Sequence, residues 1–70
     1  MLEVSFCGDK QRDPWLTVHL ASVPAVGETI RFRERPDHTR PSVGRVVRRE
    51  WDVVEKEPGR SWVTVFVAFD

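Results

Sequence analysis

The sequence predicts an all-β chain, a single small five-stranded barrel laid out as an antiparallel meander over residues 1–70. Three observations carry this reading. Apolar residues recur at every second position in five separate stretches, the period of a half-buried strand. Apolar spacing of three and four residues, which marks an amphipathic helix, is sustained nowhere. Between the stretches lie clusters of Gly, Pro, Asp and Ser, where a chain turns.

Taken in order, Leu2, Val4 and Phe6 share one face of a first strand, and Gly8, Asp9, Asp13 and Pro14 mark the loop after it. Leu16, Val18 and Leu20 alternate with Trp15, Thr17 and His19 in a second strand. Val23-Pro24-Ala25-Val26-Gly27-Glu28 reads as a bend, with proline fixing one dihedral and Gly27 free to take positive φ. Ile30 and Phe32 point one way in the third strand, and Thr29, Arg31 and Arg33 the other. Residues 34–42, with Pro36, Pro41 and several charges, read as an exposed loop.

The fourth strand, residues 43–54, has an imperfect pattern. Val47, Trp51 and Val53 share a parity with Arg45 and Arg49, and a bulge near Arg48 or Arg49 would re-aim the side chains. Pro58-Gly59 suits the centre of a type II turn, which makes residues 43–54 and 62–69 a hairpin. In the last strand Val63, Val65, Val67 and Phe69 form one face, with Trp62, Thr64, Phe66 and Ala68 opposite. A flat sheet would leave one apolar face in water. Curling it buries Leu2, Val4, Phe6, Leu16, Val18, Leu20, Ile30, Phe32, Val47, Val63, Val65 and Val67 together.

Seventy residues make one domain near the lower size limit for independent folding. A core of this size contributes only about 3–5 kcal/mol of net stability. Cys7 is the only cysteine, so no internal disulfide supports it, and a reducing compartment is expected. A structural zinc takes four Cys or His ligands, whereas this chain has only Cys7, His19 and His38, so no metal and no cofactor are expected. A protein partner or a homodimer is the expected means of completing the fold. The start, Met1-Leu2-Glu3-Val4, lacks the basic and long apolar regions of a secretion signal, and the apolar run at residues 62–69 is far short of a membrane span. A cytoplasmic location with no membrane partner is the resulting expectation.

Formal charge is zero but unevenly spread. Between Thr29 and Arg49 seven arginines face two acids, a net +5, and the remainder carries −5. Arginine offers a planar fork for carboxylates and phosphates and stacks on rings.

The run Val26-Gly27-Glu28-Thr29-Ile30-Arg31-Phe32, a polar loop, Gly44-Arg45-Val46-Val47-Arg48-Arg49, a turn, then Val63-Thr64-Val65-Phe66-Val67 resembles small SH3-like barrels. Within that group it is distantly similar to KOW-type modules of transcription and translation proteins. The resemblance covers about two thirds of the chain, from Val23 onward. It departs from the KOW pattern in the Arg- and Pro-rich loop before Gly44, which lacks the usual glycines. The likeness implies an SH3-like fold that binds protein or nucleic acid through its loops and one barrel face. The format also looks like small uncharacterised proteins of bacteria and phages.

If Leu16, Val18, Leu20, Val63, Val65 and Val67 point inward, then Trp15, His19, Trp62 and Phe66 point outward. Aromatics with arginine are the favoured composition of interface centres. Folding of the first strand or the loop after it over these rings, as a minor core, is the plain alternative. Arg31, Arg33, Arg48 and Arg49 form a basic stripe if their strands are neighbours. The expected function is thus a non-catalytic module for protein binding or self-association, with Trp15, Trp62 and Phe66 at its centre and arginines at its rim. Nucleic-acid binding through the arginine stripe is the alternative, weighed against zero net charge and a pI near 6.7. A third reading is a subunit of a phage or bacterial assembly, or an inhibitor of a host machine. Catalysis is not expected: the spacing of Cys7 and His19 matches no nucleophile–base pattern, Asp37-His38 lies in the predicted loop, and no phosphate-binding glycine loop occurs.

Overall fold

The structure, a computed structural model, describes residues 1–33, 43–57 and 59–69. All its regular elements are strands: β1 (Leu2–Gly8), β2 (Leu16–Leu20), β3 (Thr29–Arg31), β4 (Val43–Val53) and β5 (Ser61–Phe69). They form one sheet, curled into a half-barrel, in the order β2-β1-β5-β4-β3. The expectation of five strands in a small, curled all-β chain holds. The loop read over residues 34–42, Pro58 of the predicted turn, and Asp37-His38 lie outside the described residues.

The meander order does not hold. β1 and β5 are parallel, with Val4 beside Val63 and Phe6 beside Val65. β2 and β3 are consecutive in the chain yet form opposite edges of the sheet. The segment between them explains this. β2 ends with Leu20 opposite Leu2, and β3 starts with Thr29 opposite Arg45, at the far side and other end of the sheet. Residues 21–28 therefore cross the concave face, where Val23 packs on the core. A parallel pair requires such a crossing connection. At the end of the crossing, the Glu28 N–H donates to the Ala25 carbonyl and Gly27 takes a φ of 97°. That fits the second central position of a type II turn, which needs glycine. The Gly27 N–H then donates to the Val46 carbonyl, and the Val46 N–H donates to the Glu28 carbonyl.

β4 and β5 form the predicted hairpin. Gly59 has a φ of 96°, and the Arg60 N–H donates to the Glu57 carbonyl across the turn. The predicted bulge exists, one residue earlier than expected: the register slips between Val46, opposite Val67, and Arg48, opposite Phe66. Val47 is the extra residue. Before it the even positions Gly44 and Val46 face the core, and after it the odd positions Arg49, Trp51 and Val53 take the same side. The expected inward Val47 is accordingly replaced by Val46, which is fully buried.

The core lies on the concave side. Val4, Phe6, Phe32, Val46, Val63, Val65 and Val67 are buried, and Trp15, Val18, Leu20, Ile30 and Phe69 pack against them. Leu2 and Leu16, expected inside, lie at strand ends and are partly exposed. Gly44 fits only because it lacks a side chain. A Cβ there would overlap the Val67 Cγ1 and come within 3.0 Å of the Ala68 carbonyl oxygen. Gly44→Val is expected to lower unfolding free energy by about 1–3 kcal/mol, the usual cost of overpacking a filled core. Urea denaturation checks this, with Val43→Thr as the neighbouring control.

Candidate interaction surface

On the convex side, register places Glu3, Ser5 and Cys7 of β1 among Thr17 and His19 of β2 and Thr64 and Phe66 of β5. Phe66 does face away from the core valines, as alternation requires, yet only 6% of its surface is exposed. The Arg48 guanidinium lies over its ring, 3.7 Å from the centroid. Arg48 Nη1 also donates to Glu50 Oε1 at 2.6 Å. Both partners of that ion pair are half exposed, so the pair itself stabilises little. The larger effect is the ring contact, about 0.5–2 kcal/mol for a cation over an aromatic face. Trp62, on the same side, is half-buried, with the Arg60 guanidinium 5.9 Å from its ring centre. His19 is exposed opposite Glu3.

Trp15 does not join this side. It precedes β2, so the alternation of Leu16, Val18 and Leu20 does not govern it. Its N–H donates to the Phe6 carbonyl, and its ring meets Phe32 at 4.8 Å, Phe6 at 6.3 Å and Phe69 at 6.3 Å between centroids. It closes the open edge of the concave core. The expected face of Trp15, Trp62 and Phe66 is therefore split between the two sides of the sheet.

The arginine stripe is split as well. Arg31 is exposed on the convex side near Arg45, and Arg33 is exposed just past β3. Arg48 is convex and Arg49 concave, because neighbours in a regular strand alternate. Cys7 and His19 share the convex side but not a site. His19 faces Glu3, four residues along β1 from Cys7, about 13 Å at about 3.3 Å per residue. An open groove between residues 9–14 and the end of β5 is lined by Trp15, Val67 and Phe69 together with Asp9, Lys10 and Asp13.

The surface that sequence reasoning missed is the far end of the concave side. There Val18, Val4, Val63 and Trp51 lie across one rung of the sheet. Val4 and Val63 are fully buried, whereas Trp51 is 52% exposed. On the next rung Leu2 is 37% and Val53 70% exposed. The crossing segment reaches β4 at Val46, and β3 pairs only with Val43, Gly44 and Arg45. Neither extends along β4 to Trp51. The shared parity of Trp51 and Val53 was visible in the sequence; the brevity of β3, which leaves them uncovered, was not.

No family model, curated protein or solved structure matches the chain. Among the described residues no helix is long and apolar enough to cross a membrane.

Burial pushes the Cys7 thiol above its ordinary value of 9.0; the Asp13 charge adds to the rise, the Arg48 charge opposes it, and Glu50 adds again. A raised thiol pKa makes folding most favourable while the thiol is neutral. Stability should thus be undiminished below pH 9.0 and fall as pH rises above it, since the unfolded chain ionises first. Denaturation midpoints between pH 8 and 10.5, compared with those of Cys7→Ala, check this. The fall should be smaller in the variant, and native Cys7 should resist alkylation at pH 8 until denaturant is added.

Proposed function

We infer that the chain is a non-catalytic protein-interaction module whose contact surface is the open concave end formed by Leu2, Trp51 and Val53, with Arg49 beside them. The observation that carries this is the exposure of Trp51 and Val53 on the same side as a fully buried valine core. Exposed apolar groups contiguous with a core are characteristic of surfaces that a partner covers. Trp51 is also the residue type most often dominant at interface centres. Covering its exposed half removes on the order of 100 Å² from water, about 2.5–3 kcal/mol at about 25 cal/mol per Å². Arg49 supplies a rim cation that selects an acidic or aromatic complement.

A cytoplasmic setting is part of this reading, in keeping with the single buried cysteine. A role as a subunit of a bacterial or phage assembly, or as an inhibitor of a host machine, would use the same surface. The site residues first expected, Trp62 and Phe66, lie on the other side, where Arg60 and Arg48 occupy their rings.

Capture of partners from cells tests the reading. Wild type and Trp62→Ala should retain the same proteins, and Trp51→Ser/Val53→Ser should lose at least about nine tenths of them, a loss of about 1.4 kcal/mol or more. Equal capture by the double variant refutes the surface. Salt-sensitive retention of an oligonucleotide, weakened by Arg31→Ala/Arg45→Ala, would replace this reading with the nucleic-acid alternative.

A further inference from the structure

Beyond Val46, β4 continues through residues 47–53 with β5 on one side and, among the described residues, no backbone partner on the other. An unpaired strand edge is a template for another strand, and the charges it carries decide which strand can approach it. Here the edge carries both signs, segregated along the strand: Arg48 and Arg49, then Glu50 and Asp52.

We propose that this edge pairs with the same edge of a second copy, antiparallel about a two-fold axis at Glu50, giving a continuous ten-stranded sheet. The proposal rests on the reading of this end as a protein-contact surface and adds a second copy at its β4 edge, beside Trp51. Opposed residues of an antiparallel pair lie on one side of the sheet, which restricts the symmetric registers to those centred on a residue. Centring on Trp51 sets Glu50 against Asp52 twice, acid against acid. Centring on Arg49 opposes it to its own copy and drives Asp52 toward Val46, whose backbone already pairs with Gly27 and Glu28.

Centring on Glu50 sets Arg48 opposite Asp52 twice on the convex side and Arg49 opposite Trp51 twice on the concave side. Opposite charges and cation–ring pairs are favourable cross-strand neighbours. The one like-charged pair is Glu50 with its copy, and each Glu50 already carries Arg48 at 2.6 Å. The same pairing covers the exposed flank of Trp51. The free edge of β2 offers no comparable selection, because Leu16 to Leu20 contain no acid or arginine and Val18 and Leu20 are half-buried.

Light scattering after size exclusion, over about a hundredfold range of concentration, should show the mass rising from 8.1 kDa toward twice that value. Asp52→Arg sets arginine against arginine and should weaken dimerisation about tenfold or more. Arg48→Glu sets acid against acid and should do the same. Mixing the two variants restores both complementary pairs, so a heterodimer should form, which also shows that each variant is folded. A monomer at every concentration, wild-type dimerisation by Asp52→Arg, or a mixture that stays monomeric each overturns the proposal. If the chain is monomeric while Trp51→Ser/Val53→Ser still loses captured proteins, self-pairing is wrong and the contact surface stands. If capture is also unchanged, both are wrong.

Discussion

The parallel pairing of β1 with β5 is the constraint from which the other features follow. β5 lies at the middle of the sheet, bonded on both edges, and its valines on one side and Phe66 on the other are all withdrawn from water. Strands in such positions are apolar on both faces, and the run Val63-Thr64-Val65-Phe66-Val67 is nearly continuous in this respect. Because β1 and β5 run the same way, the chain must cross the sheet between them. The crossing at residues 21–28 supplies the lid of the concave core and delivers β3 to one end of β4 only. An open end of β4 is the geometric consequence.

The two sides of the sheet are closed by different chemistry. On the convex side a guanidinium over Phe66 replaces a second layer, and the buried Ser5 Oγ lies 2.9 Å from Oγ1 of the exposed Thr17 in a hydrogen bond. On the concave side Trp15 and Phe32 close one end in an edge-to-face contact with an interplanar angle of 74°. Nothing among the described residues does the same at the Trp51 end. A chain this small has little net stability to spare, and association is a general way for such cores to gain burial. The proposed contact surface and the thin core are thus two aspects of one shortage of chain.

Much of the fold was legible because alternation survives in β1, β2 and β5, none of which carries a bulge. The break in alternation at β4 correctly signalled a bulge, and only its position was displaced, from Arg48 or Arg49 to Val47. Strand neighbours were not legible. Alternation says which side a residue takes but not which strand lies beside it, so the parallel β1–β5 pair escaped an argument built on consecutive hairpins. The contact surface failed for two local reasons. Trp15 lies one residue outside its strand, where parity no longer applies. Phe66 faces outward as expected but is capped by Arg48, and sequence spacing across a bulge does not reveal that contact. Trp51 was passed over because its side of the sheet depends on where the bulge falls.

Hydrogen exchange of the Arg49 and Trp51 backbone amides, which point away from β5 to the free edge of β4, followed at low and high concentration of the full chain, tests the central claim most directly. An edge that pairs with its copy predicts protection at these amides that rises with concentration, while the amides of β2 exchange alike throughout. Exchange at Arg49 and Trp51 that is independent of concentration, or protection that rises instead along β2, would contradict the account.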